Sequence, residues 1–204
     1  FLQSRYSSIE EISHAYGKRY LNFYEIRPPV GATQSPYDFV RYTDWHDFHR
    51  WYYAYYLKFM LKEIRKRKVN LQIYHNVPGW VWGRAKEFPV DITLYSEVAK
   101  MCPEIAFGVD HIPETVNFRN FHDDLIVNKM TDSLQKGRHA RFSAEFQAGS
   151  REHVVRTYNN ELELFYKASL AHGLQGFNYY MFSQGKNPLN GGVYGPIFYW
   201  FNMV

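Results

Sequence analysis

The sequence predicts an α/β fold of repeated strand and helix units, and three observations carry that reading. Short β-rich runs begin at Val69, Ile105, Ala140 and Gly176, at intervals of 36, 35 and 36 residues. Helical patterns fill most of the gaps, and parallel neighbours need a crossover of about a dozen residues or more. No G-x-G-x-x-G turn or P-loop follows any of the runs, so a doubly wound sheet lacks its usual phosphate-binding signature. Four such units with a preceding helix and loop correspond to the C-terminal half, strands five to eight, of a (β/α)8 TIM barrel, which takes roughly 250 residues when whole. Residues 1–204 therefore read as one partial barrel domain truncated at both ends.

Ser7 and Ser8 each stand three residues before a glutamate, Glu10 or Glu11. This capping-box spacing starts a helix that runs to about Tyr16, where Gly17 supplies a left-handed cap. From Lys18 to Tyr42 the Pro28-Pro29 pair, Gly31 and Pro36 predict a long ordered loop. Asp44 then caps a second helix whose rings recur at Trp45, Phe48, Tyr52, Tyr55 and Phe59, a three-four spacing on one face, and which ends near Lys68. Val69 to Ile73 alternates as a strand ending in Tyr74-His75-Asn76, and Pro78-Gly79 breaks the chain. A weak helix over Thr93–Met101 leads to Ile105–Val109, an apolar run typical of a strand buried on both faces, closed by Asp110-His111. A helix from His122 to Lys136 stops at Gly137. The strand Arg141–Ala144 follows and ends in Glu145-Phe146-Gln147. Asn160 caps a helix that reaches Gly173, and Gly176–Phe182 is the last strand, followed by Gln184, Lys186 and Asn187.

Composition removes several classes. Apolar residues make up 46% and charged residues 22%, which excludes disordered, collagen-like and coiled-coil chains. No apolar run approaches the roughly 18 residues of a membrane helix, so no membrane partner is expected. The single cysteine, Cys102, excludes an internal disulfide and a Cys-rich zinc module. The 24 basic residues barely exceed the 20 acidic ones, and the densest basic run, Lys62–Lys68, ends a helical pattern. Cations favour that end of a helix dipole anyway, so no nucleic-acid partner is expected. The N-terminal Phe1-Leu2-Gln3-Ser4-Arg5-Tyr6 does not read as a signal peptide. Aromatic residues reach 19%, more ring surface than packing usually demands, and Tyr and Trp with their polar tips suit a wet cleft.

Barrel active sites form at the carboxyl ends of the strands. Here those ends offer His75 and Asn76, Asp110 and His111, Glu145 and Gln147, and Gln184 and Asn187, groups that cost several kcal/mol to bury unpaired. Converging on one mouth, they make a sugar-sized polar site. Glu145 is the sharpest candidate, because the strand before it would deliver an inward carboxylate on a rigid element; the competing reading is an ion pair with Arg141 or Arg151. His75 and His111 read equally as substrate contacts or as hydrogen-bonded rim residues. Trp80 and Trp82 follow the first strand end, where a ring could stack on a sugar face or simply pack.

Ala144-Glu145-Phe146-Gln147-Ala148-Gly149 resembles the nucleophile motif of glycoside hydrolase family 35, in which Glu is followed by an aromatic residue and, four positions on, by Gly. Asn178-Tyr179-Tyr180-Met181-Phe182-Ser183-Gln184-Gly185-Lys186-Asn187 is similar to that family's segment on its final strand, with Gln184 and Lys186 departing from Gly and Thr. The opening Arg5-Tyr6 to Gly17 string is similar to the stretch after the fourth strand in the β-galactosidases of families 35 and 42. The resemblance implies a retaining glycosidase of the large barrel clan, with Glu145 as nucleophile and an acid/base Glu on the strand before residue 1. It also implies that Tyr180 hydrogen-bonds the nucleophile or the sugar, and that Tyr194, in Gly191-Gly192-Val193-Tyr194-Gly195, matches a site tyrosine. Gln147 stands where many relatives carry an aromatic residue, a departure that bears on galactose specificity. Asn178 opens the last-strand motif and joins the candidate substrate-binding residues.

Three readings follow. The first is a retaining exo-glycosidase acting on terminal β-linked sugars, β-galactosides foremost and glucosaminides also within the family's range, with a carbohydrate substrate and neither a cofactor nor a metal. The second is a metal-dependent barrel hydrolase using His75 and His111, since imidazole with carboxylate suits zinc. The third is a non-catalytic carbohydrate-binding barrel. All three leave homo-oligomerisation open.

Overall fold

The computed structural model describes residues 1–77, 92–112, 123–147, 149–151, 158–180 and 200–202, and the chain divides after Arg67 into two units, Phe1–Arg67 and Lys68–Val204.

The first unit is helical. A short α1 (Leu2–Arg5) precedes α2 (Ile9–Ala15), where the Ser8 side chain accepts from the Glu11 amide as the spacing predicts. Gly17 follows with φ +59°, and a Cβ there would lie 2.6 Å from the Tyr37 ring. The backbone angle favours glycine, and the ring leaves no room for a Cβ. A 3-10 turn, Phe23–Glu25, interrupts the loop.

The long helix α3 spans Pro36–Lys66 and begins a full two turns before the expected Asp44. Ser35 and Asp38 form a reciprocal capping box, with the Asp38 amide donating to Ser35 Oγ at 3.3 Å and the Ser35 amide to Asp38 Oδ2 at 3.0 Å. Pro36 occupies the first helical turn, where its missing N–H costs nothing. The proline that reads as a helix breaker is thus a helix starter.

Asp44 is not a cap but a buried carboxylate inside α3, 2% exposed. It accepts from Tyr6 Oη at 2.5 Å and Tyr16 Oη at 2.8 Å and pairs with Arg5 Nε at 2.9 Å, the partners a buried charge needs. Tyr16 and Tyr20 close over Ile12, with Leu2, Tyr6, Ile9, Phe23 and Ile26 packed around them. Burial first, then the hydrogen bond to Asp44 and its charge, push the Tyr6 and Tyr16 phenols well above their ordinary value. Because their folded pKa values exceed the unfolded one, this stabilisation is complete below about pH 10 and declines above it. Thermal melts of the full-length protein should therefore hold level to about pH 9 and fall between about pH 10 and 11.5. The Tyr6→Phe, Tyr16→Phe double variant should start lower and fall less steeply, and an unchanged alkaline slope would contradict the assignment.

The second unit is a parallel sheet with helices. Strands β1 (Ile73–Val77), β2 (Ile105–Val109), β3 (Phe142–Gln147) and β5 (Gly176–Tyr180) lie in chain order and are parallel throughout. Helices α4 (Ile92–Met101), α5 (Asp123–Gln135) and α6 (Asn159–Ala171) alternate with them. α5 packs on β2 and touches both α4 and α6, so consecutive helices stand side by side. Gln135, 1% exposed, ties α5 to the sheet by accepting from the Phe107 amide at 2.7 Å. β2 is buried along its whole length, as its unbroken apolar run predicts.

Several boundaries move. β1 begins at Ile73 rather than Val69 and runs to Val77, and β3 runs on to Gln147, which places His75, Asn76 and Glu145 within strands. Helix α6 begins at Asn159, where the Tyr158 amide donates to Glu161 Oε2 at 2.7 Å. A second, antiparallel pair, β4 (Gly149–Arg151) with β6 (Trp200–Asn202), has no counterpart in the sequence reading, because three residues are too few to show an alternation. Among the described residues no helix is long and apolar enough to cross a membrane.

Candidate active site

Strand geometry sorts the sheet into two faces. On one, His75 lies 6.4 Å from the Tyr95 ring of α4 and Phe107 lies 5.8 Å from the same ring. Farther along, Phe146 stacks on Phe165 of α6 at 4.5 Å, with Phe177, Tyr166 and the His111 ring around it. This is the helix face. On the other, the Tyr74 and Phe142 rings meet edge-on at 5.2 Å across β2. They can meet because Gly108 lies between them. A Cβ at that position would come within 2.8 Å of Ala144 Cβ, 3.0 Å of Tyr74 and 3.2 Å of Phe142.

Above this aromatic floor, Asn76 Nδ2 donates to Glu145 Oε1 at 2.9 Å. The two residues come from β1 and β3, 69 positions apart in sequence, with β2 between them. Side-chain alternation adds Asp110 to the same face as Gly108, and Asp110 is 5% exposed, with its amide donating to Val77 O at 2.9 Å. Gln147 is 1% exposed, and its amide donates to His111 O at 3.0 Å. Asn178 Nδ2 donates to Ala144 O at 3.1 Å. Tyr180 lies across from Gln147 in the β3–β5 register.

The structure therefore brings Asn76 and Glu145 into contact, places Asp110 on their face, and sets Asn178 beside the backbone that carries Glu145. His75 and His111 turn the other way, toward Tyr95 and Phe146 respectively. Burial holds the His75 imidazole below its ordinary pKa, which favours the neutral ring. Trp80, Trp82, Tyr194, Gln184 and Asn187 lie outside the described residues.

Arg141 does not pair with Glu145. Its Nε donates to Gly173 O and its Nη1 lies 3.4 Å from Asp132 Oδ1, so the guanidinium secures the α6–β5 turn. The side chain of Arg151 lies outside the described residues. Tyr74 and Phe142 are strand residues in the sequence but not among its site candidates; with β1 at 73–77, alternation alone puts Tyr74 and Asn76 on one face.

A carboxylate fixed by one amide donor, over an aromatic floor and on the face away from the helices, can act as a nucleophile, a base or a hydroxyl acceptor. A three-ligand metal site would need His75 and His111 to converge, whereas their rings go to different neighbours on the helix face. Among the described residues no group of three or more His, Cys, Asp or Glu side chains is assembled to hold a metal.

Comparison with known proteins agrees with this chemistry. The profile of glycoside hydrolase family 42, described as β-galactosidase, matches residues 1–191. Over 199 residues, 98% of the chain, the sequence is 47% identical to a β-1,2-glucosyltransferase of Ignavibacterium album, covering 28% of that protein. Over 188 residues, 92% of the chain, it is 25% identical to an exo-β-D-glucosaminidase of Pyrococcus horikoshii, covering 23% of that protein. The chain thus spans about a quarter of the length of these curated relatives. The family matched is 42 and not 35, so the motif resemblance is upheld at the level of the glycoside hydrolases, and the chain belongs to the family 42 β-galactosidase family.

Proposed function

We propose that the protein is a retaining enzyme acting on terminal β-linked sugars by double displacement, with Glu145 as the nucleophile. The observation that carries this reading is the Asn76 to Glu145 hydrogen bond at 2.9 Å. It holds the carboxylate on the face of the sheet away from the helices. Four parallel strands in chain order, with neighbouring helices in contact along one face, suit half of a (β/α)8 barrel whose interior is the Asn76 and Glu145 face. Residues 1–204 then contribute strands five to eight, and the acid/base Glu comes from the strand preceding residue 1.

With Oε1 held by Asn76, Oε2 attacks the anomeric carbon as the glycosidic bond breaks. The leaving oxygen takes a proton from the acid/base carboxyl about 5 to 5.5 Å away. The glycosyl ester on Glu145 is then released either to water or to a sugar hydroxyl, so hydrolysis and transfer share the first step. The role proposed for Asp110, on the same face, is to accept from sugar hydroxyls. The donor proposed is a β-glucosyl unit, on the strength of the 47% identity to a protein named β-1,2-glucosyltransferase. The second reading is a β-galactosyl unit, favoured by the family description and by the motif around Glu145.

The test is to incubate the full-length protein with 2-deoxy-2-fluoro-β-glucosyl fluoride, and separately with its galactosyl counterpart, and to locate the label by peptide mass spectrometry. Label from the glucosyl probe on Glu145 is expected. Label on Glu145 from the galactosyl probe only would reassign the sugar. Robust turnover of β-glycosides with no label on Glu145 would overturn the mechanism. A full-length protein that binds sugars and turns over none would revive the non-catalytic reading.

A further inference from the structure

Strands β3 and β5 do not keep step. Ser143 pairs with Phe177 and Phe146 with Tyr179, so two residues of β3, Ala144 and Glu145, stand opposite the single residue Asn178 of β5. One extra residue on one strand is a bulge, and a bulge re-aims side chains.

The consequence for Glu145 follows from alternation. Phe142 meets Tyr74 on the face away from the helices, and Ser143 follows on the helix face. Without the extra residue, Ala144 would return to the Phe142 face, Glu145 would go to the helices, and Phe146 would leave them. The observed strand does the opposite: Glu145 reaches Asn76 while Phe146 stacks on Phe165. The bulge therefore delivers the carboxylate to the site and the ring to the core at once.

A bulge interrupts the ladder, and its backbone groups need other partners. Ala144 O receives the side-chain amide of Asn178 at 3.1 Å. The donor is the residue directly opposite the two bulged positions, and Phe177 and Tyr179 on either side of it turn their rings to the helix face. Asn suits the task because its short arm carries an N–H donor, whereas an ionised Asp at the same position would point a carboxylate at a carbonyl.

We propose that Asn178 is a positioning residue that locks the β3 bulge and so sets the aim of Glu145, with no requirement that it touch the sugar. The proposal rests on Glu145 being the nucleophile. It predicts that loss of the amide slows attack and leaves donor binding alone.

The experiment measures inactivation of the full-length protein by 2-deoxy-2-fluoro-β-glucosyl fluoride, or by the galactosyl probe if that is the one that labels, separating the maximal rate constant from half-saturation. In Asn178→Ala and Asn178→Asp the rate constant should fall about 10- to 100-fold, the cost of misplacing a reacting group by about 1 Å, with half-saturation changed less than about threefold. The Asp variant matches Asn in shape, so it carries the test if the Ala variant does not fold. An unchanged rate constant, or higher half-saturation at an unchanged rate constant, would overturn the proposal, the latter by making Asn178 a sugar contact. Failure of both variants to fold would overturn it in favour of a purely structural role. Wild-type label on a residue other than Glu145 would remove the reading on which the proposal depends, an outcome distinct from normal labelling of Glu145 in the variants.

Discussion

Replacing Glu145 by Gln in the full-length protein is expected to lower turnover by about four orders of magnitude or more, the scale seen when an enzyme loses its nucleophile. The amide is nearly the same size and keeps Oε1 as an acceptor for Asn76 Nδ2, so the 2.9 Å contact can persist. It cannot form the glycosyl ester. Melting of the variant should match the wild type closely, and that match makes the kinetic loss a statement about chemistry. A Glu145→Gly variant sharpens the point: added azide should restore glycoside cleavage and yield the azide of inverted configuration, because the small anion attacks from the face the carboxylate vacated. Near-normal turnover by Glu145→Gln would sink the assignment.

The second large effect is on stability. Phe146 is fully buried, stacked on Phe165 at 4.5 Å and packed on Phe177 at 4.8 Å and Tyr166 at 5.2 Å. Phe146→Ala removes the ring at the centre of that cluster and leaves a cavity that neighbours on a sheet and a helix cannot easily fill. A loss of about 3–5 kcal/mol is expected, as for other buried Phe→Ala changes. Denaturant unfolding, or a melting temperature lower by roughly 6 to 20 °C, would register it. Phe146→Leu, which keeps most of the volume, should cost far less. A cost below about 1 kcal/mol for the Ala variant would mean that the cluster is not the anchor described above. Because Phe146 adjoins Glu145 on a bulged strand, the Ala variant should also lose activity out of proportion to its remaining folded fraction.

Much of the second unit was legible in the sequence. The buried strand Ile105–Val109 showed itself as an unbroken apolar run, the helix at 123–135 was marked by its stopping glycine, and the helix at 92–101 gave only a weak signal. Glu145 stood out in the sequence as a carboxylate near the carboxyl end of a strand, and β3 runs two residues past it. In the first unit, Ser8 and Glu11 marked their helix plainly. Asp44 did not. Asp is a good helix cap by residue type, and only the approach of Arg5 and Tyr6 from the end of α1 and of Tyr16 from the end of α2 shows that it is a buried hub.

By itself the sequence determined the α/β alternation and the parallel strands, because periodicity, capping and crossover length are local properties of the chain. The tertiary structure alone decided which polar groups meet. The alternation Phe142, Ala144, Phe146 reads as one face, yet the bulge opposite Asn178 sends Phe146 to the helices and Glu145 to Asn76. His75 and His111, candidates by position, turn to the helix face, and for His75 plain alternation along the unbroken β1–β2 register is enough. Strand register is set by pairing with a neighbour, and a single extra residue reverses every side chain beyond it.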